Sequence, residues 1–127
     1  MKTIAAGTSP FEPLYGFSRA HRIGNHIWIS GTAPIEADGS STPGRAEEQA
    51  ARCFAIILGA LQELGAGAEH VVRTRMYITK PADADAVGRQ HALIFGKVRP
   101  AATMVVVAAL LRDEWRVEIE AEAFIAP

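Results

Sequence analysis

The sequence predicts an α+β domain in which two helices cover one face of a sheet, and three observations carry that expectation. Apolar residues recur at three- and four-residue spacing over 46–64 and again from about 83 to 95. Short alternating runs lie before, between and after these two segments. The resulting order, β-β-α-β-α-β-β, leaves both helices long enough to lie across a sheet. The chain of 127 residues accommodates one domain spanning 1–127, large enough to bury a core without staples.

The elements follow in chain order. Residues 17–31, FSRAHRIGNHIWISG, read as two strands joined at Gly24-Asn25, a pair suited to positive φ in a tight hairpin turn. The Gly-, Pro-, Ser- and Asp-rich run from Thr32 to Arg45 marks a surface loop, and Thr42-Pro43 resembles an N-cap with proline in the first turn. A helix then presents Ala46, Ala50, Cys53, Phe54, Ile57, Leu58, Leu61 and Leu64 on one side, and Gly65 ends it. Residues 70–78 alternate as a strand with Val72, Thr74, Met76 and Ile78 on one side and Val71, Arg73, Arg75 and Tyr77 on the other. The second helix turns Ala84, Val87, His91, Ile94 and Phe95 inward and stops at Gly96. Two strands close the chain, at 102–109 and 115–125, with Arg99-Pro100 as the turn into the first.

These last strands differ in kind. In 115–125, Trp115, Val117, Ile119, Ala121 and Ala123 alternate with Arg116, Glu118, Glu120 and Glu122, the pattern of a half-buried strand. The run ATMVVVAA at 102–109 is polar on neither side and is expected to be buried on both. With the helices on one sheet face, a second copy of the chain in a closed symmetric oligomer is the simplest cover for the other.

Composition excludes several classes of function. Thirteen basic against fourteen acidic residues give a net charge of -1, and the basic residues are scattered, so no electrostatic footprint for nucleic acid is expected. Cys53 is the only cysteine, which rules out an internal disulfide; inside an apolar stretch it reads as a small buried hydrophobe. Neither a secretory leader nor a membrane-spanning run is legible, and the expected location is cytoplasmic with no membrane partner. His21, His26, His70 and His91 lack metal-site spacing, Ser30 has no nucleophile-elbow glycines around it, and no glycine run forms a phosphate or dinucleotide loop. Neither metal nor organic cofactor is expected. The side of the sheet that carries Arg73 and Arg75 also carries Glu118, Glu120 and Glu122, which reads either as a salt-bridge ladder or as a pocket where an arginine holds a carboxylate and a glutamate manages a proton or water.

Four blocks, GFSRAHRIGNHIWISGTAP at 16–34, LQELGAGAEHVVRTRMYIT at 61–79, RPAATMVVV at 99–107 and VEIEAEA at 117–123, resemble in sequence and spacing the Rid or YjgF-type family, the reactive-intermediate enamine/imine deaminases and their relatives. The resemblance implies a chorismate-mutase-like (bacillus type) subunit, two helices on one face of a mixed sheet, in a homotrimer with ligand clefts between subunits. Deaminating members of the family carry P-A-R-[ST] before the fifth strand, its arginine gripping the substrate carboxylate, and a glutamate on the last strand orients the attacking water. Here the run is Pro100-Ala101-Ala102-Thr103, so Ala102 stands at the arginine position. Glu118 matches the family glutamate and Ser30-Gly31 the cleft Ser-Gly; Phe17 replaces the usual Tyr and Thr32 the usual Gln. The implied cleft is lined by Phe17, Ser30, Gly31, Met104 and Glu118, and it takes a small metabolite, a carboxylate or imino acid, with absent, weak or altered deaminase activity. An alternative is an active hydrolase using Glu118 and a relocated arginine such as Arg75, with Arg19 and Arg22 as further candidates. A third reading is a non-enzymatic regulatory or RNA-acting protein.

Overall fold

The computed structural model describes residues 2–127. Among the described residues six strands and three α-helices follow one another, besides two short 3-10 turns: β1 (Ile4–Ala5), α1 (Phe11–Tyr15), β2 (Ala20–Ile23), β3 (His26–Thr32), α2 (Ala46–Glu63), β4 (Val71–Ile78), α3 (Ala84–Phe95), β5 (Ala101–Val106) and β6 (Val117–Phe124). The strands form one mixed sheet in the order β1-β2-β3-β6-β4-β5, in which only β4 and β5 run parallel. Gly24, at φ 57°, forms the β2–β3 turn with Asn25, as the dipeptide predicts.

The core lies between the sheet and the two long helices. Phe54, Ile57 and Leu61 of α2 pack with Ile27, Ile29, Ile119 and Ala121 of the sheet, and α3 adds Val87 and Phe95. Cys53 is fully buried in this layer, and burial drives its thiol far above the ordinary range. His91 lies on the inner side of α3, where its ring accompanies Thr74 Oγ1 at 2.8 Å. Arg22, buried on β2, donates from Nη1 to Leu64 O at 2.6 Å and from Nε to Gly24 O at 2.8 Å, which satisfies a free carbonyl at the end of α2. No helix of the described residues is long and apolar enough to cross a membrane.

Several elements differ from the sequence-based expectation, each for a local reason. Helix α2 begins at Ala46, with Arg45 N donating to Glu48 Oε2 at 3.1 Å. Thr42 caps nothing, because its N–H goes to Pro34 O and its hydroxyl to Glu36, both within the loop. Strand β4 carries a register shift between Val71 and Arg73, so Val71 is buried and Val72 exposed, the reverse of strict alternation. Trp115 precedes β6 and belongs to a separate small core with Ala33 and Ile35. Phe17 precedes β2, and both β1 and the short α1 lie in a segment whose composition carries no periodic signal.

The largest departure is β5. Only β4 pairs with it, α3 reaches only part of it, and Val105 and Val106 are 41% and 51% exposed. The strand expected to be buried on both faces is therefore an open apolar edge in the single chain. Truncating the fully buried Phe54 to alanine is expected to cost about 3–5 kcal/mol of unfolding free energy. Leu93→Ala, at an outward side chain of α3, should change it by no more than about 0.5 kcal/mol. Urea denaturation monitored by circular dichroism measures both.

Candidate functional site

Two residues of β3 stand opposite one residue of β6. Ile29 pairs with Ala121 and Thr32 with Ile119, so Ser30 and Gly31 together face Glu120 and form a bulge. Thr32 returns to the core and is fully buried, its hydroxyl donating to Ser30 O at 2.8 Å. Ser30 Oγ donates to Ser18 O at 2.7 Å, which ties the bulge to the chain just before β2. The carboxylate of Glu118 lies directly against Gly31, and a Cβ at this position would have to push it aside.

Arg19 holds the other side of the bulge, donating from Nη2 to Gly31 O at 2.6 Å. Its guanidinium lies over the Phe17 ring, 5.6 Å from the centroid. Glu12 of α1 approaches Arg19 Nη1 at 3.8 Å, and both side chains are buried. Around these groups is a cavity of about 90 Å³ lined by Phe11, Phe17, Arg19, Gly31, Trp115 and Glu118, among others. Burial pushes the Glu118 carboxyl above the usual carboxylate range, with Arg19 opposing that shift and Glu120 adding to it.

The single chain thus brings together Phe17, Ser30, Gly31 and Glu118. It does not bring Ala102 or Met104 to them. Through the ladder, Ala102 lines up with Thr74 and Ala121, and Met104 with Met76 and Ile119, all on the side of the sheet toward the helices, where Met104 is partly buried and Ala102 exposed. Glu118 points from the opposite face, and β4 lies between β5 and β6. Arg75 is on the same face as Glu118, but its Nη1 meets Glu122 at 3.1 Å and Glu120 at 3.9 Å. Tyr77, the cross-strand neighbour of Glu118, donates its hydroxyl to Glu120. Around Arg75 the arginine–glutamate face is therefore a ladder of paired side chains. The sequence supplied no position for Arg19, and Glu12, Phe11 and Trp115 had no site role, because the loop and α1 that carry them to the cavity have no repeating pattern.

Helices stacked on one side of this mixed six-stranded sheet make the molecule a chorismate-mutase-like α+β protein. Its sequence matches the family model for Endoribonuclease L-PSP over residues 7–125. An uncharacterized protein of Streptomyces coelicolor is 36% identical over 116 residues, 91% of this chain and 87% of the relative. Among solved structures, Rv2704 of Mycobacterium tuberculosis, a YjgF/YER057c/UK114 family member, superposes with a TM-score of 0.89 at 37% identity, covering 97% of this chain and 98% of that one. RidA from an Antarctic Psychrobacter gives a TM-score of 0.86 at 25% identity, covering 98% of this chain and all of the other. The chain belongs to the Rid/YjgF family.

The raised Glu118 carboxyl has a consequence for stability. Because it titrates higher in the folded than in the unfolded chain, its neutral form favours folding below the ordinary carboxylate range, and this contribution is lost as pH rises through the raised value. Glu118→Gln is expected to unfold at a higher temperature than wild type near neutral pH, and to converge on wild type below about pH 4. Thermal melts across pH measure the crossover.

Proposed function

We propose that this protein is a homotrimer that binds a small metabolite in clefts between subunits, with imine or enamine hydrolysis weakened or altered relative to deaminating relatives. The observation that carries the reading is the division of the expected cleft between two distant parts of one chain. Phe17, Gly31 and Glu118 surround a cavity at one site, while Ala102 and Met104 lie on an exposed apolar edge across the sheet. A head-to-tail ring sets the edge of each copy against the cavity of the next and covers Val105 and Val106. The net charge of -1 and the absence of a basic stripe in the sequence favour a small ligand over a nucleic acid.

In this reading Glu118 is the catalytic group. Set against Gly31 in a partly desolvated site, its carboxyl is pushed up by burial and lines the cavity. As a carboxylate it takes a proton from the water that adds to the C=N carbon and passes it to the nitrogen; it then carries the new hydroxyl's proton to that nitrogen as the C–N bond breaks, giving a carbonyl compound and ammonia. Ala102 at the family arginine position removes a charge-assisted grip on a substrate carboxylate, about 1.5–3 kcal/mol or one to two decades in affinity.

Light scattering is expected to give three times the chain mass, and a stable monomer would end the cleft reading. With 2-iminopropionate generated in situ, wild type is expected to be slow, and Ala102→Arg to raise kcat/KM by about tenfold to a hundredfold. Glu118→Gln should remove whatever turnover wild type shows. A wild type as fast as Ala102→Arg would show that another group grips the substrate.

A further inference from the structure

We propose that Arg19 is the positioning residue for Glu118, holding the bulge against that carboxyl and supplying a buried positive charge that Glu118 shares with Glu12. The inference rests on the reading of Glu118 as the catalytic group and adds the residue that sets its place and its charge.

Arg19 is tied to the bulge twice. Its carbonyl accepts from the Ser30 N–H at 3.0 Å, and its Nη2 donates to Gly31 O at 2.6 Å, so both residues that face Glu120 are held by one side chain and its backbone. The Arg19 N–H goes to Ala5 O of β1 at 2.9 Å, and the guanidinium carbon lies 5.6 Å from the centre of the Phe17 ring. Only 5% of the residue is exposed, which leaves the fork no room to swing away. The Glu118 carboxylate rests against the same Gly31 whose carbonyl the fork grips. Guanidinium and carboxylate therefore meet across one backbone residue, and a displaced fork displaces the surface on which Glu118 rests.

The charge is as constrained as the geometry. Arg19 is the only cation among the described residues that line the cavity with Glu118. Glu12 is buried 3.8 Å from Nη1, beyond hydrogen-bond distance, and its Oε1 accepts the Gly7 N–H at 2.8 Å. It balances the guanidinium by charge alone and leaves it acting on Glu118 as well. Burial raises the Glu118 carboxyl, and Arg19 opposes that shift more strongly than Glu120 adds to it. The other titratable groups nearby are committed elsewhere. Tyr77 of β4 donates to Glu120, Cys53 of α2 is held as a thiol by burial, and Arg112, stacked on Phe11 and Trp115, donates from Nη1 to Gly39 O and Ser41 Oγ. One guanidinium thus serves two buried carboxylates, and Glu118 feels charge removed from Glu12 with the opposite sign to charge removed from Arg19.

That difference in sign separates positioning from mere structural support. In the full-length protein labelled with carbon-13, the Glu118 side-chain carboxyl is followed by NMR from about pH 3 to about pH 9, and its signal is identified by its loss in Glu118→Gln. Its midpoint is expected to lie above the wild-type value in Arg19→Gln, below it in Glu12→Gln, and close to it in Arg19→Lys, which keeps the charge. With 2-iminopropionate in the Ala102→Arg background, Arg19→Gln should lower kcat about tenfold with KM within about twofold, and the acid limb of the pH profile should move with the midpoint. Glu12→Gln, which keeps an acceptor for Gly7, decides the matter if Arg19→Gln does not fold. A midpoint unchanged in Glu12→Gln, or displaced the same way in Arg19→Gln and Glu12→Gln, overturns the role of Arg19 and leaves the cleft reading standing. Midpoints that move as expected establish the placement of Arg19 even where turnover is absent, a result that overturns the catalytic reading alone.

Discussion

The extra residue in β3 is the constraint on which the site depends. If Ser30 and Gly31 paired with β6 one for one, Thr32 would point away from the core and the face of every residue beyond it would be exchanged. The bulge absorbs that shift within two residues, returns Thr32 to the interior, and leaves the Gly31 carbonyl free for Arg19. It also brings bare backbone against the Glu118 side chain, which no residue with a Cβ permits without moving that carboxylate. Backbone irregularity, charge placement and the cavity are one arrangement.

The three glutamates of β6 illustrate how environment sorts identical side chains. Glu120 and Glu122 face Arg75, and Glu120 also accepts from Tyr77, so their charge is balanced on the surface of the sheet. Glu118 is two residues from Glu120 on the same face, but it lies where the bulge and Phe17 reduce access to water. Its balancing cation is at a distance and is shared with Glu12. Glu118 lines the cavity and its carboxyl is raised by burial, whereas Glu120 and Glu122 are occupied by Arg75 and Tyr77.

The sequence showed those parts of the fold that repeat. Helical spacing located α2 and α3 to within a few residues, and Gly24-Asn25 marked the hairpin, because periodic burial and turn chemistry are local properties. The bulges at Val71–Arg73 and Ser30–Gly31 were not legible, since an inserted residue leaves no trace in composition and only pairing with β6 reveals it. Glu118, Phe17, Ser30 and Gly31 were reached through resemblance, and they do meet. The sequence gives Arg19 no place, because its contacts with Glu12, Phe17 and Gly31 depend on the course of α1 and of the loop before β2. The apolar run in β5 reads as buried on both faces, one of them under a second copy of the chain, and in the single chain its Val105 and Val106 are exposed.

The burial of Cys53 gives the molecule an internal reporter. Its sulfur is sealed between α2 and the sheet, and burial raises the thiol, which disfavours the thiolate in the native state. Only the thiolate reacts with alkylating reagents. The rate at which such a reagent consumes the single cysteine therefore counts excursions in which α2 lifts from the sheet, as amide exchange does for backbone groups. Because the clock lies on the far side of the sheet from Glu118, a ligand that slows it does so by tightening the whole subunit and not by shielding the sulfur.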